Sequence, residues 1–178
     1  MKISRSSVQR EQYKQVENEG GIIRQTYMET MAEKNLVLHF DGKLVKHIED
    51  EMRQRVTSDR LAISVTSPEL GTKDDLLLGV IPCSSGKGED MAVNIQNVLE
   101  YYDIAENIIA ICADTTASNT GSKNGAIVIL SQVLGQPFIW FLCRHHIAEI
   151  HISWCFKALF KERTVGPSKQ VYKDFQHK

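Results

Sequence analysis

Residues 35–42 read NLVLHFDG and residues 107–114 read NIIAICAD. Each is a short apolar run that ends at an aspartate, and such runs, bounded by turn residues, are typical of β-strands. The second run is continuously apolar, which predicts a strand buried on both faces. If the two strands are parallel neighbours, Asp41 and Asp114 leave the sheet at the same edge. These two stretches therefore decide both the fold and the place of a candidate site.

Three more apolar runs complete the predicted strands. Residues 60–67 and 75–82 each stop at a proline, and residues 137–142 read PFIWFL. Three strands precede the first predicted crossover helix, so they are expected to form antiparallel hairpins, whereas the later strands alternate with helices and are expected to add in parallel. The prediction is an α/β fold with a mixed five-stranded sheet, three antiparallel strands followed by two parallel ones, flanked by helices.

Helical spacing of apolar residues marks the remaining segments. It runs over residues 89–102 and 124–134, and, after residues 143–146, to about residue 161. Near the N-terminus two helices are expected, over residues 8–19 and 22–34, with Gly20-Gly21 breaking them.

The organisation that follows has three parts. Residues 1–34 form an N-terminal helical segment, residues 35–161 form the core, and residues 162–178 form a polar, basic tail. The charged stretch over residues 45–59 is expected to connect the first two strands and to hold a short helical turn.

Composition limits the classes of protein to consider. The 178 residues suffice for one ordinary domain, and a net charge of −1 excludes a strongly basic nucleic-acid binder. No apolar run could span a bilayer and the N-terminus lacks an apolar signal core, so no membrane association is expected. The four cysteines form no C-x-x-C pair, which fits reduced thiols in an intracellular protein.

The two strand-end aspartates suggest metal chemistry. Two carboxylates a few ångströms apart repel each other unless they share a proton or bind a cation. Mg²⁺ prefers hard oxygen ligands, and paired divalent ions promote phosphodiester chemistry. Asp41 and Asp114 are therefore candidate metal ligands and catalytic residues, and the alternative is that both are turn or cap residues. Residues 69–114 hold nine acids against two lysines, which suits either a solvated face or a pocket that needs cations.

Three segments resemble one protein family. The strand LVLHFDG, the strand-loop IIAICADTTASNTG and the strand-turn FIWFLCRHH occur in this order in transposases of the hAT superfamily, and the resemblance covers roughly residues 35–155. Those enzymes have an RNase H-like catalytic core. The resemblance implies an RNase H-like sheet, Mg²⁺ or Mn²⁺ as cofactor, DNA as partner and a nuclear location. The implied reaction is hydrolysis of a DNA phosphodiester followed by strand transfer by a 3′-hydroxyl.

The resemblance also implies roles for single residues. Asp41 matches the family's first metal-binding aspartate, and Asp114 matches the second. Asn119 matches a polar residue that often follows the second aspartate. These three residues would form the metal-binding side of the site.

The turn after the fifth strand carries the family's C-x-x-H signature. Cys143 and His146 match it, and the resemblance implies that it lies beside the active site, where His146 or Arg144 would approach a DNA phosphate. Together with His151 and Cys155 the segment reads C-x2-H-x4-H-x3-C, which has zinc-ligand residue types but fits no zinc template. The alternative is that the cysteines pack as small apolar residues.

One acidic ligand of the family has no clear counterpart. In the family a glutamate follows a long helical insertion, and the 178 residues end before such an insertion could finish. The resemblance therefore implies an incomplete or domesticated copy, inactive alone, with any homo-oligomer formed through regions absent from this sequence. Glu149 lies where simpler RNase H-like nucleases carry their glutamate, and it is either a substitute ligand or an exposed helix residue. The alternative function is a non-catalytic DNA-associated or protein-interaction module.

Overall fold

The computed structural model describes residues 5–48, 55–71 and 75–160. The strands are β1 (Leu36–Ile48), β2 (Arg55–Thr66), β3 (Leu76–Cys83), β4 (Ile108–Ala113) and β5 (Ile139–Leu142). The α-helices are α1 (Arg5–Met31), α2 (Gly88–Tyr102), α3 (Ala117–Thr120), α4 (Ala126–Val133) and α5 (Arg144–Phe160). Short 3₁₀ turns span Pro68–Leu70 and Ala105–Asn107.

The five strands form one mixed sheet in the order β3-β2-β1-β4-β5. β1 pairs antiparallel with β2, β2 pairs antiparallel with β3, and β4 lies parallel to β1. The predicted α/β fold, with three antiparallel strands, two parallel ones, flanking helices and an N-terminal helix, is confirmed. Because β1 is central, its residues have neighbouring strands on both sides.

The N-terminal segment differs from its prediction, because α1 is a single helix that continues through Gly20-Gly21. A glycine weakens a helix by about 1 kcal/mol relative to alanine and does not forbid it. The turns after the glycines are held by tertiary contacts. Arg24 Nε donates a hydrogen bond of 2.8 Å to the carbonyl oxygen of Tyr101, and the ring of Tyr27 lies 6.0 Å from that of Tyr102.

β1 also differs from its prediction, because it does not end at Asp41-Gly42. It continues to Ile48, paired with β2 without a register shift, and Gly42 has no positive φ. The cross-strand ladder therefore overrides the local turn signal. The helical turn expected over residues 45–59 is wrong for the described part of that stretch, which is strand; residues 49–54 lie outside the described residues.

The core lies between one face of the sheet and two helices. Side chains of the central strands, fully buried at Leu38 and Ile111, pack with Ile95 of α2 and Leu130 of α4. The prediction that β4 is buried on both faces is wrong, because Ile109 is 44% exposed. The core helices cover the opposite face of the strand, so Ile109 is left outside the core cluster.

The chain forms two compact units, Met1–Phe141 and Leu142–Lys178. Their boundary falls at the end of β5, inside the segment that the sequence assigns to the core. α5 belongs to the second unit, where Phe156 and Phe160 have ring centroids 4.5 Å apart. Within the described ranges, no helix is both long enough and apolar enough to cross a membrane. The predicted tail, residues 162–178, lies outside these ranges.

Candidate functional site

Asp114 directly follows β4 and is held by the loop that comes after it. Its Oδ1 accepts hydrogen bonds from the backbone N–H of Thr116 (3.0 Å), the Thr116 hydroxyl (2.7 Å) and the Asn119 amide (2.5 Å). Donors that converge on an ionised oxygen make strong hydrogen bonds and fix its direction. None of these donors uses Oδ2, so one oxygen of the carboxylate stays available for another partner.

Asn119 is the buried member of this loop. It is only 4% exposed, and no hydrogen-bond donor of the described residues reaches its Oδ1. The amide orientation is determined by Asp114, because only the NH₂ side can donate to a carboxylate. An unsatisfied buried acceptor costs about 1–3 kcal/mol, so a cation or donor that reached Oδ1 would be stabilised.

Asp41 lies within β1, beside the strand that leads to Asp114. The parallel register pairs His39 of β1 with Cys112 of β4. The observed pairing ends there, so Asp41 and Asp114 each lie two residues beyond the last pair, on neighbouring strands that run about 4.8 Å apart. Asp41 is exposed, and its carboxylate has no hydrogen-bond or ion-pair partner among the described residues.

A cleft of about 200 Å³ lies against Asp114. The residues that matter for its chemistry are Lys43, Asp59, Arg60, Ser85, Asp114 and Asn119. Asp41 is not among the lining residues, although Gly42 and Lys43, which follow it, are. The cleft therefore contains the fixed aspartate and begins directly after the exposed one.

Two cations stand opposite each other on the strands that border this cleft. Lys43 of β1 and Arg60 of β2 are cross-strand partners. Arg60 is half-buried, and its Nε donates a 3.1 Å hydrogen bond to the Ser58 hydroxyl. Neither cation forms an ion pair with any residue in the described part of the chain. Like charges directly opposite on a sheet destabilise it, and alternation along the strands puts both side chains on the face opposite to the buried Phe40 and Leu61.

The wall of the cleft at α2 is closely packed. A Cβ on Gly88 would lie 2.3 Å from the Asn124 carbonyl oxygen and 2.5 Å from that of Ser118. Only glycine fits at the start of α2, and this contact fixes the helix against the loop that holds Asp114. The preceding loop is fixed too, because the Ser85 N–H donates to Asp90 Oδ2 at 2.7 Å.

The C-x-x-H residues begin α5. The Cys143 carbonyl accepts a 3.1 Å hydrogen bond from the Ile147 N–H, which starts the helix. Cys143 and His146 are half-buried, three residues apart on one side of the helix, while Arg144 and Glu149 are exposed. All lie in the second compact unit. Their expected positions beside the active site, and the role of Glu149 as a third ligand, stay predictions.

No three His, Cys, Asp or Glu side chains gather into a metal-binding group among the described residues. Those residues include Cys143, His146, His151 and Cys155, so the zinc interpretation of this segment is not supported. Asp59 lines the same cleft as Asp114, but no group of three carboxylates forms in the described ranges. The cleft also offers amide and hydroxyl oxygens, first of all that of Asn119.

Sequence reasoning named Asp114 and Asn119, which the structure brings together, and missed other residues of the site. Thr116 could have been found, because an aspartate two residues before a threonine is a frequent Asx turn. The Lys43–Arg60 pair could not, because strand register is set by pairing over the whole hairpin. No protein-family model matches the chain, and a search of the curated proteins finds no match.

Proposed function

We propose that this chain is a transposase-derived RNase H-like domain, ancestrally active in metal-dependent cleavage and transfer of DNA strands. The observation that supports the proposal is the parallel pairing of β1 with β4, which ends two residues before Asp41 and the hydrogen-bonded Asp114. Two further features support it. The mixed sheet has the strand directions that the resemblance to hAT transposases implies, and the three motif segments follow each other in that family's order.

The residues fit a hard divalent cation. Asp41, Oδ2 of Asp114 and the buried Oδ1 of Asn119 would hold Mg²⁺ or Mn²⁺, because carboxylate and amide oxygens are the ligands that these ions prefer. The cation would also satisfy the otherwise unpartnered Asn119 oxygen. A divalent ion bound there supplies Lewis-acid polarisation of a phosphodiester and activation of the attacking hydroxyl.

The chain's own residues prepare one side of this site. Thr116 and Asn119 stabilise the ionised carboxylate of Asp114 and hold it in one orientation, so no rearrangement is needed when a cation binds. Asp41 adds a second negative charge on the neighbouring strand. Repulsion between the two carboxylates raises the affinity of the site for a cation.

Catalysis by this chain alone is expected to be weak. The described residues form no cluster of three carboxylates, so a second metal ion would be poorly held. DNA affinity would also be modest, because the net charge is −1 and phosphate neutralisation needs Lys and Arg. A nuclear location, and homo-oligomers formed through other regions, belong to the proposal through the resemblance alone.

Calorimetric titration of Mn²⁺ tests the proposal. Saturable binding is expected for the wild type and is expected to be lost in Asp41→Asn/Asp114→Asn. Asp103→Asn is the matched control, because Asp103 is exposed, lies outside the cleft and has a left-handed backbone that asparagine tolerates. No saturable binding by the wild type, or equal binding by the double variant, would overturn the proposal.

A second function is favoured because no cluster of three carboxylates forms among the described residues. In this alternative the domain keeps the fold and not the reaction, and it serves as a non-catalytic DNA-associated or protein-interaction module. The same titration separates the two functions, since the alternative predicts a folded protein that binds no Mn²⁺ at Asp41 and Asp114.

A further inference from the structure

We propose that the cleft beside Asp114 binds a primary alkylammonium group, with its charged head at Asp59 and Asp114 and its methylene stem against the apolar part of the wall. A lysine side chain of a partner polypeptide and a free aliphatic amine share this chemistry. The inference goes beyond the proposed function and does not rest on it, because it needs Asp59, which the proposed metal site does not use.

The first argument is the direction of the side chains on the strands that border the cleft. Leu61 and Met91 belong to the core and line the cleft, so the cleft lies on the core-facing side of the sheet. Asp59 is two residues before Leu61 on β2, so its side chain lies on the same face. Lys43 and Arg60 alternate with the core-facing residues, and their side chains lie on the opposite face. The cleft therefore contains carboxylates without these two cations.

The second argument is that the negative charge in the cleft is not neutralised. Asp59 forms no hydrogen bond or ion pair with any residue in the described part of the chain, and the hydrogen bonds to Asp114 all use Oδ1. Cys83 pairs in register with Asp59, and burial, followed by the negative charges of Asp90 and Asp59, raises the pKa of its thiol. The electrostatic potential at this end of the cleft therefore favours a cationic ligand.

The third argument is an unsatisfied acceptor in the wall of the cleft. Asn119 lines the cleft and is 4% exposed, and its Oδ1 has no hydrogen-bond donor among the described residues. Together with the Asp59 carboxylate and Oδ2 of Asp114, it makes a third acceptor group that lacks a donor. An alkylammonium head has three N–H donors and no acceptor, so it matches these groups in number and in sign.

The fourth argument is the apolar part of the wall. Leu61 and Met91 line the cleft together with Gly42, which has no side chain to fill it. Apolar side chains provide no ligands for Mg²⁺, which keeps several of its water molecules, but they pack well against methylene groups. The cleft has a volume of about 200 Å³, and a water molecule occupies about 30 Å³ in the liquid, so about six heavy atoms fit. An ammonium group on a short methylene chain has this size.

The test is an NMR titration of the isotope-labelled full chain with n-butylammonium chloride, in chelator and at constant ionic strength. n-Butanol is the neutral ligand of the same shape. Asp59→Asn removes one charge and keeps the size of the side chain. Asp103→Asn is the matched control, because Asp103 is exposed, lies outside the cleft and has a left-handed backbone that asparagine tolerates. Thermal melts establish that each variant is folded.

We expect n-butylammonium to cause saturable shifts of the backbone amide signals of residues 83–86 and 114–119, and n-butanol to cause none. Asp59→Asn should weaken binding about tenfold or more, because an ionised acceptor makes a stronger hydrogen bond than an amide does. Asp103→Asn should keep the wild-type affinity. The absence of saturable shifts, equal binding of n-butanol, or equal affinity of the wild type and Asp59→Asn would each overturn the inference.

A further arm identifies the source of the amine. A blocked tripeptide with a central lysine and the free polyamine spermidine are titrated in the same way. If the peptide binds more tightly, the ligand is a lysine side chain of a partner polypeptide, and if spermidine binds more tightly, the ligand is a free amine.

Two single variants separate this inference from the proposed function. Asp41 is not among the residues that line the cleft, so Asp41→Asn should keep the affinity for n-butylammonium, whereas Asp59→Asn should keep saturable binding of Mn²⁺. If Mn²⁺ fails to bind while binding of the amine still depends on Asp59, the proposed function is wrong and this inference remains. If Mn²⁺ binds at Asp41 and Asp114 and the amine does not bind, this inference alone is wrong.

Discussion

Asp41 and Asp114 have the same side chain and belong to neighbouring parallel strands, Asp41 within β1 and Asp114 directly after β4, yet their surroundings differ. Asp114 accepts three hydrogen bonds on one oxygen, two of them from Thr116 and one from Asn119. Asp41 is exposed and has no side-chain partner among the described residues. Hydrogen bonds therefore fix the orientation of the Asp114 carboxylate, whereas no such contact restricts the rotamer of Asp41.

The difference shows that two structural elements position the two aspartates in different ways. The loop after β4 folds back on the strand end and orients Asp114 before any ligand arrives, which lowers the entropy lost on binding. β1 instead continues past Asp41 as part of a long hairpin, and only its backbone is fixed there. Asp114 would offer a bound cation a ligand of fixed orientation, and Asp41 would add a second negative charge.

The largest expected effect comes from disturbing the support beneath Asp114. Gly88→Ala would place a Cβ 2.3 Å from the Asn124 carbonyl oxygen and 2.5 Å from that of Ser118, both backbone atoms. Overpacking of this kind destabilises by about 1–3 kcal/mol. Equilibrium urea unfolding measures the change, and Mn²⁺ affinity should fall with it because the loop that holds Asp114 must move.

Gly86→Ala is the control for this substitution. Gly86 lines the same cleft, but nothing lies within 4 Å of its added Cβ and its φ is not positive. The free energy of unfolding of the Gly86→Ala variant should stay within about 0.5 kcal/mol of that of the wild type. Equal unfolding midpoints for the two alanine variants would mean that the contact between α2 and the Asp114 loop does not support the fold.

A direct comparison of the two aspartates has the next largest effect. Asp114→Asn removes the charge that strengthens three hydrogen bonds and should lower the free energy of unfolding by about 1–2 kcal/mol. Asp41→Asn removes an exposed charge without partners and should change it by less than about 0.5 kcal/mol. Both single variants should weaken Mn²⁺ binding. If Asp41→Asn destabilises as much as Asp114→Asn, Asp41 has a structural role that its exposed environment does not explain.

The sequence predicted the parts of the fold that depend on local signals. Prolines and polar turns bound the apolar runs, so strand number and the change from antiparallel to parallel pairing could be inferred. The continuous α1 and the long β1 could not. Gly20-Gly21 is tolerated in the helix, whose following turns contact α2 through Arg24 and Tyr101, and Asp41-Gly42 is overruled by pairing with β2. Contacts between residues far apart in sequence decide both cases.

The same distinction separates the residues of the candidate site. Asp114 and Asn119 are five residues apart, so a single loop could be expected to bring them together. Lys43 and Arg60 meet only because the β1–β2 register pairs them, and a shift of one residue would put either side chain on the other face. The sequence also could not show which buried polar atoms lack a hydrogen-bond partner, since the unpartnered Asn119 Oδ1 depends on the packing around the loop.

The smallest expected effect is a pH dependence of the free energy of unfolding. It arises from His39, which lies on the face of β1 that carries Asp41. His39 pairs in register with Cys112, and its Nε2 lies 2.7 Å from the Thr66 hydroxyl oxygen. Burial lowers the pKa of His39 below its ordinary value of 6.5, and the negative charge of Asp75 opposes that shift in part. The folded protein therefore binds the His39 proton less readily than the unfolded chain does.

The sign of the pH effect follows from this difference in proton affinity. The contribution of neutral His39 to stability is fully present above pH 6.5 and decreases as the pH falls below that value towards the lower pKa of the folded state. In chelator, the wild type should lose more stability than His39→Gln between about one pH unit above and one below the ordinary histidine pKa. Urea unfolding at the two pH values measures this difference. Parallel pH profiles for the wild type and His39→Gln would show that His39 titrates alike in the folded and unfolded states. This face of β1 would then be less closely packed than the hydrogen-bonded loop around Asp114.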